Sequence, residues 1–289
     1  MATIDAASVK KLREMTGAGM MDCKKALVEA EGDFDKAVAS LREKKLADSS
    51  KKADRATAEG AIGVSISEDG KRAGLVELNC ETDFVARNEQ FRELVSHLAS
   101  HAQQSGSGDA TSLLTVSSST DGQTIDQHVR EAIGTLGENI VVSRVAHLET
   151  NGVLGSYIHT DGKQAAVVEV SGEGVETGTL QQLARDLAMQ VVALRPQYVS
   201  RDEIPQEVLD AERSIYEQQA AQEGKPEAIQ AKIAEGRLSK EFFQQVALLD
   251  QPFIREQKQT VSQLVKAAGG NINVVRFVRL RVGETAINA

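Results

Sequence analysis

The strongest constraint on this chain is that it repeats itself. Residues 60–79 lie over residues 152–171 at an offset of 92 without a gap. Nine of those 20 positions are identical: Gly60, Gly63, Ile66, Asp69, Gly70, Lys71, Ala73, Val76 and Glu77. Ordinary residue frequencies give about one or two matches. Each copy alternates apolar and polar residues around an Asp-Gly pair, Asp69-Gly70 and Asp161-Gly162, the pattern of a β-hairpin. Helical periodicity follows both, with Phe91, Leu94, Val95 and Leu98 in the first copy. In the second it is carried by Leu180, Leu183, Ala184, Leu187 and Val191.

The duplication continues at a second offset, with residues 137–149 aligned to 269–281 at 132. Ile125, Val129, Ile133 and Leu136 precede one of these segments at helical spacing, and Val261, Leu264, Val265 and Ala268 precede the other. Each half therefore reads as a hairpin, one or two helices and a returning strand. The fold class is α+β, a duplicated core of three-stranded antiparallel sheets backed by helices.

The change of offset places about 40 extra residues in the second half. They fall between Arg195 and Phe253, where all four prolines occur. Pro205 suits a first helical turn and Gly224 a stop; Pro226 starts a second helix and Gly236 ends it. Val208, Ile215 and Gln222, then Ile229 and Ile233, form a narrow apolar stripe, the seam of an inserted antiparallel helical hairpin. The first half instead carries Ser105-Gly106-Ser107-Gly108 and the polar run 117–122, read as flexible loop.

Ahead of the repeats, the first 45 residues read as three short helices. Val9 and Leu12 mark the first. Met20, Cys23, Leu27 and Ala30 mark the second, and Phe34, Ala37, Val38 and Leu41 the third, with Asp33 as N-cap. Met20 and Met21 follow a tight Thr16-Gly17-Ala18-Gly19 turn, and so small a unit has room to bury one of them well. The other is either core or an exposed, adaptable contact. Residues 46–59 mix Lys51, Lys52 and Arg55 with acids, as a linker or a solvated helix does. The expected organisation is a helical domain at 1–45, linker at 46–59 and core repeat 1 at 60–149. Core repeat 2 takes 150–195 and 254–284, and the insert takes 196–253.

Composition and motifs exclude most chemistry. A net charge of −9, no Trp, three Tyr and seven Phe argue against a nucleic-acid binder. No apolar run approaches a membrane span, and no signal segment opens the chain. Cys23 and Cys80 are too far apart for a CxxC site, so a reduced, cytoplasmic protein is the expectation. The GxG runs at Gly17, Gly106 and Gly172 lack a third glycine, and no Gly-Lys pair sits in a phosphate loop. His97 and His101 have metal-like i,i+4 spacing but no third ligand, so they read as part of a solvated helix. Cys80 reads as a buried strand cysteine. The residues therefore point to no enzyme, no resident metal and no cofactor.

Between the first hairpin and its helix lies Thr82-Asp83-Phe84-Val85-Ala86-Arg87-Asn88, with Asn88 able to cap the helix. Core packing is the plainer reading of Phe84. The alternative is a protruding anchor, an aromatic beside an acid that fills a partner's apolar pocket and disturbs an oxygen-ligated cation.

The runs Thr16-Gly17-Ala18-Gly19-Met20-Met21-Asp22-Cys23-Lys24-Lys25-Ala26-Leu27 and Thr82-Asp83-Phe84-Val85-Ala86-Arg87 resemble two signatures of the elongation factor Ts family. Leu154-Gly155-Ser156-Tyr157, Gly224-Lys225-Pro226, Glu235-Gly236-Arg237 and Gln251-Pro252-Phe253 fall in the family's order. The resemblance implies a ubiquitin-associated-like N-terminal domain, a duplicated core and an inserted helical hairpin. It also implies exchange of guanine nucleotide on elongation factor Tu, in its GDP-bound and nucleotide-free forms. On that footing Thr82, Asp83, Phe84 and Val85 dislocate the partner's Mg²⁺, while Arg13, Met20, Met21, Leu136, Gly137 and His159 contact it. The helical hairpin could join two copies in a homodimer. The chain stops at 283–289, where some members continue into a C-terminal helical module, so exchange is expected to lean more on the N-terminal domain. The competing function is a plain interaction scaffold built on the same N-terminal helices, which needs nothing of Asp83-Phe84.

Overall fold

The computed structural model describes residues 4–284; Thr285 to Ala289, part of the C-terminal stretch discussed above, lie outside them. Three helices open the chain: α1 (Ala6–Thr16), α2 (Met20–Glu29) and α3 (Phe34–Ser50). Their spacing explains their packing, since Val9, Leu12, Cys23, Ala26, Leu27, Ala37 and Leu41 fall on the inner faces and form one buried cluster. Asp5 and Asp33 cap α1 and α3 by accepting the Ser8 and Lys36 amides at 2.7 and 3.1 Å. Gly17, left-handed at φ 64°, ends α1.

The first repeat is β1 (Glu59–Ile66), β2 (Arg72–Cys80), α4 (Asp83–Ala86), α5 (Glu89–Ser105), α6 (Ala110–Thr115), α7 (Ile125–Leu136) and β3 (Ile140–Glu149). The second is β4 (Val153–Ile158), β5 (Gln164–Glu173), α8 (Thr177–Leu194), then the insert α9 (Gln206–Gln222), α10 (Glu227–Arg237) and α11 (Phe243–Val246). The strands β6 (Pro252–Phe253) and β7 (Glu256–Thr260), the helix α12 (Val261–Ala267) and the strand β8 (Asn271–Arg281) complete it. The sheets run β1-β2-β3 and β4-β5-β8, each antiparallel with the hairpin's second strand in the middle, plus the small β6-β7 pair. The chain forms two compact units, Met1–Ser65 with Gly74–His147, and Ile66–Ala73 with Leu148–Ala289.

The repeated residues hold repeated structure. Lys71 and Lys163 each donate their amide to the aspartate two residues back, at 3.0 and 2.8 Å, within matching glycine turns. Gly63 and Gly155 are matching places where a helix lies directly on a strand: a Cβ at Gly63 would meet Val95 at 2.7 Å, and one at Gly155 would meet Ala184 at 2.6 Å. Behind the first sheet, Phe91, Leu98, Ile125, Val129 and Ile133 close a core with Val76 and Leu78. Behind the second, Leu183, Leu187 and Val191 do so with Val168 and Phe277.

Several sequence expectations change here. The two segments read as flexible loop, 105–108 and 117–122, are tied down locally, with Ser105 Oγ 2.8 Å from Ser107 Oγ, and between them stands α6, capped by Asp109 through the Ser112 amide at 2.9 Å. Ser118 is buried and bonds Gln123 through its amide at 2.7 Å. Gly236 does not stop its helix, because α10 continues through a π turn at Leu238–Phe242 into α11. Val208, Ile215 and Ile229 are exposed and do not form the seam. The contact runs along Tyr216, Ala220, Ala234 and Leu238, where two alanines let the helices approach and one tyrosine supplies the area. Arg213–Glu235 and Arg237–Glu223, at 2.6 and 2.7 Å, pin the hairpin across its face. Among the described residues no helix is long and apolar enough to cross a membrane.

Candidate docking site at the corner of the first repeat

Cys80 ends β2 inside the core, and its thiol donates to the Thr82 carbonyl at 3.2 Å, turning the chain out of the sheet. Thr82 has extended backbone and caps α4, accepting the Val85 amide at 3.4 Å. One turn later Asn88 caps α5 by accepting the Gln90 amide at 2.9 Å. The helix is thus interrupted between Ala86 and Glu89, and Asp83–Ala86 stands as a separate turn.

Two carboxylates fix this turn from below. Glu138 Oε2 accepts the amides of Glu81 and Thr82 at 3.1 and 2.9 Å, and its Oε1 accepts the Thr82 hydroxyl at 2.6 Å. In return, Glu81 Oε1 accepts the Asn139 amide at 2.7 Å, and Asn139 Nδ2 donates to the Arg55 carbonyl at 2.8 Å. That backbone amide, with Arg55 and Lys52 adding attraction, holds the Glu81 carboxyl below its usual range. Charge-assisted hydrogen bonds of this kind are the stronger ones, and here they close over a long sequence separation.

The consequence is at Phe84. Val85 packs on the first core and Ala86 is buried, so the turn must aim Phe84 away, and its side chain is 82% exposed. Asp83 stands beside it, its Oδ2 3.0 Å from Arg87 Nη2. An aromatic ring in water on a turn held by two carboxylates is preorganised to fill a pocket on another molecule. Burying such a side chain is worth about 1.5–3 kcal/mol.

Other residues singled out in the sequence fall near by or apart. Arg13 and the methionines Met20 and Met21 are exposed at the α1–α2 turn, so neither methionine is core. Met15, on the same turn, is exposed too and was not anticipated. Met15, Thr16 and Gly17 share a cleft of about 500 Å³ with Gln90, Leu94, Thr135 and Leu136. Gly137, left-handed at φ 82°, leads from Leu136 to the Glu138 that grips Thr82. Lys45 binds this region together, donating to the Thr16 carbonyl and the Thr135 hydroxyl at 2.6 and 2.7 Å. His159 belongs to the second unit, at the turn after β4, where its Nδ1 lies 3.2 Å from the Tyr157 hydroxyl. Glu81, Glu138 and Asn139 were missed. Their one sequence signal is that Gly137-Glu138-Asn139 departs from its repeat partner Gly269-Gly270-Asn271 at the middle position.

The solvated-helix reading of His97 and His101 does not hold. His101 is 9% exposed, and its ring touches that of His97. Cys80, by contrast, is the buried strand cysteine expected.

Comparison with known proteins bears on the whole chain. The family profile described as Elongation factor TS matches residues 81–284. Elongation factor Ts of Aquifex aeolicus is 47% identical over 281 residues, 95% of this chain and 96% of that protein. Elongation factor Ts of Nitratidesulfovibrio vulgaris is 46% identical, covering 98% and 97%. For that of Clostridioides difficile the figures are 45%, 98% and 94%.

Proposed function

The chain belongs to the elongation factor Ts family, and from that premise we propose that it is a cytoplasmic guanine nucleotide exchange factor that releases GDP from elongation factor Tu. Phe84 enters an apolar pocket of the GTPase beside the Mg²⁺ that bridges its bound phosphates. Asp83 brings a competing carboxylate to the same place. Mg²⁺ demands near-octahedral oxygen ligation, so a small displacement of its ligands weakens the nucleotide. By linkage, GDP weakens the factor's grip by the same ratio; a coupling of about 3 kcal/mol corresponds to roughly 150-fold. GTP then enters the emptied site and expels the factor. No bond is made or broken, and no cofactor is needed.

The single observation that carries this reading is the fully presented Phe84 on a turn held by Glu138 and Thr82. Arg13, Met20 and Met21 at the α1–α2 turn, Leu136 and Gly137 at the end of α7, and His159 in the second unit widen the contact.

Stopped-flow release of a fluorescent GDP from elongation factor Tu tests the reading. Phe84→Ala slows exchange by about 30-fold or more, the loss of an aromatic anchor worth about 2 kcal/mol. Its thermal unfolding stays at the wild-type value, because the ring contributes nothing to the core. A variant as fast as wild type removes Phe84 from the mechanism.

A further inference from the structure

Three of the chain's five histidines meet behind the first sheet. His97 Nε2 and His101 Nε2, one turn apart on α5, are 2.9 Å from each other, with the rings edge to face at 4.4 Å between centroids. His128, near the start of α7, sets its ring against His97 at 5.1 Å. Its Nε2 is buried without a hydrogen-bond partner, with Asp121 Oδ1 3.4 Å away. Among the described residues no three side chains are arranged to hold a metal ion. The contact is therefore imidazole on imidazole.

Such a contact depends on protons. Two ring nitrogens at 2.9 Å need one donor and one acceptor; a neutral imidazole offers both, and an imidazolium offers donors alone. The His97–His101 pair can take up one proton and keep its bond. A second leaves two donors facing each other beside a third ring.

Burial comes first in holding both His97 and His101 below the usual histidine range. Neighbouring imidazoles add to it and Asp121 opposes it. Glu14 from α1, Lys45 from α3, Glu93 from α5 and Glu131 from α7 line the adjoining cleft. Glu14 is paired with Lys10 at 3.7 Å and Glu131 with Arg42 at 2.7 Å.

We propose that the His97–His101 pair, with the His128 ring packed against it, forms a proton-operated latch between α5 and α7, closed until the pair takes up a second proton in acid. Opening frees α7 and with it the Glu138 grip on the Asp83-Phe84 corner. The linkage is short, since α7 ends at Leu136 and Glu138 follows two residues later.

The sign follows from the histidine shifts. An unburied histidine titrates near about 6.5, and His97 and His101 titrate lower when the latch is closed, so the open form holds more protons below that pH. Closure is complete above about pH 6.5 and is lost as the pH falls below it. Each extra proton held by the open form raises the opening equilibrium by up to about tenfold per pH unit within that window.

Hydrogen exchange read by mass spectrometry at pH 7.5 and 5.5, corrected for the intrinsic rate, tests the latch without any partner. In the wild type, peptides spanning 125–136 and 81–88 open at least about tenfold more in acid, while α8 does not change. His97→Gln/His101→Gln removes that acid response. His128→Phe keeps the ring packing but removes the neighbouring imidazole that helps hold His97 and His101 below their usual range, so its response shrinks even if the double variant fails to fold. The latch is overturned by a wild type without acid opening at 125–136, by equal opening in both units, or by a His128→Phe response equal to wild type. None of these outcomes bears on nucleotide exchange.

Discussion

Glu77 and Arg144 in the first repeat correspond to Glu169 and Arg276 in the second, at the two offsets that define the duplication. In both, the arginine Nε donates to the glutamate Oε2 across the sheet, at 2.5 Å in the first and 2.7 Å in the second. The surroundings differ. Glu77 and Arg144 are 2% and 9% exposed, whereas Arg276 is 48% exposed over a Glu169 that is 10% exposed. The corners differ in the same sense. In the second repeat Gly270, left-handed at φ 62°, lets the chain lie against Val175 and the Glu173 carbonyl, where a Cβ has no room. In the first repeat its counterpart is Glu138, which reaches the opposite amides with a carboxylate instead. α8 also runs unbroken from Thr177, the counterpart of Val85, whereas the first repeat breaks its helix between Ala86 and Glu89. One architecture thus closes its corner by backbone contact in one copy and by charge in the other. The charged closure is the one that turns an aromatic outward.

The largest expected difference is at the ion pairs. Arg144→Ala takes the cation from a buried glutamate that keeps the Asn79 amide as a donor, and costs about 3 kcal/mol, while Arg276→Ala costs below about 1 kcal/mol because water replaces the guanidinium. Denaturant unfolding, with hydrogen exchange to assign each loss to its unit, measures both. Equal costs would mean that burial does not distinguish the two pairs. Next come the corners. Glu138→Ala removes three hydrogen bonds to one charged acceptor, lowers stability by about 2 kcal/mol and slows GDP release although Phe84 is intact. Gly270→Ala costs about 1–3 kcal/mol from backbone strain and leaves the release rate alone. A Glu138 variant with normal release kinetics would separate the grip from the function. Smallest is Asp83→Asn: an exposed i,i+4 pair is worth about 0.3–0.5 kcal/mol, so melting barely moves, and any marked loss of exchange reports on the partner's site.

The duplicated hairpins were legible because a β-hairpin writes itself locally, in alternation, Asp-Gly turns and glycines beneath helices. The caps Asp33 and Asn88 were legible for the same reason, each bonding an amide two or three residues on. The corner was half legible: the motif located Phe84, but residues alone favoured core packing, and its exposure depends on Glu138, 54 positions downstream. The histidine contact joins helices around positions 97 and 128, and no local period encodes it. The helical hairpin failed differently. A stripe of β-branched residues is the obvious seam by hydropathy, yet small Ala220 and Ala234 decided how closely the helices meet.

Cys80 gives the corner a built-in clock. Its sulfur is sealed under the turn and tied to the Thr82 carbonyl, so an alkylating reagent can reach it only in molecules whose turn has lifted. The rate at which that single site gains mass, separated by peptide mapping from the equally enclosed Cys23, counts lifting events one molecule at a time. A loosened Glu138 would make the clock run faster, and so would a protonated histidine once the rate is corrected for the smaller thiolate fraction in acid, whether or not a GTPase is in the tube.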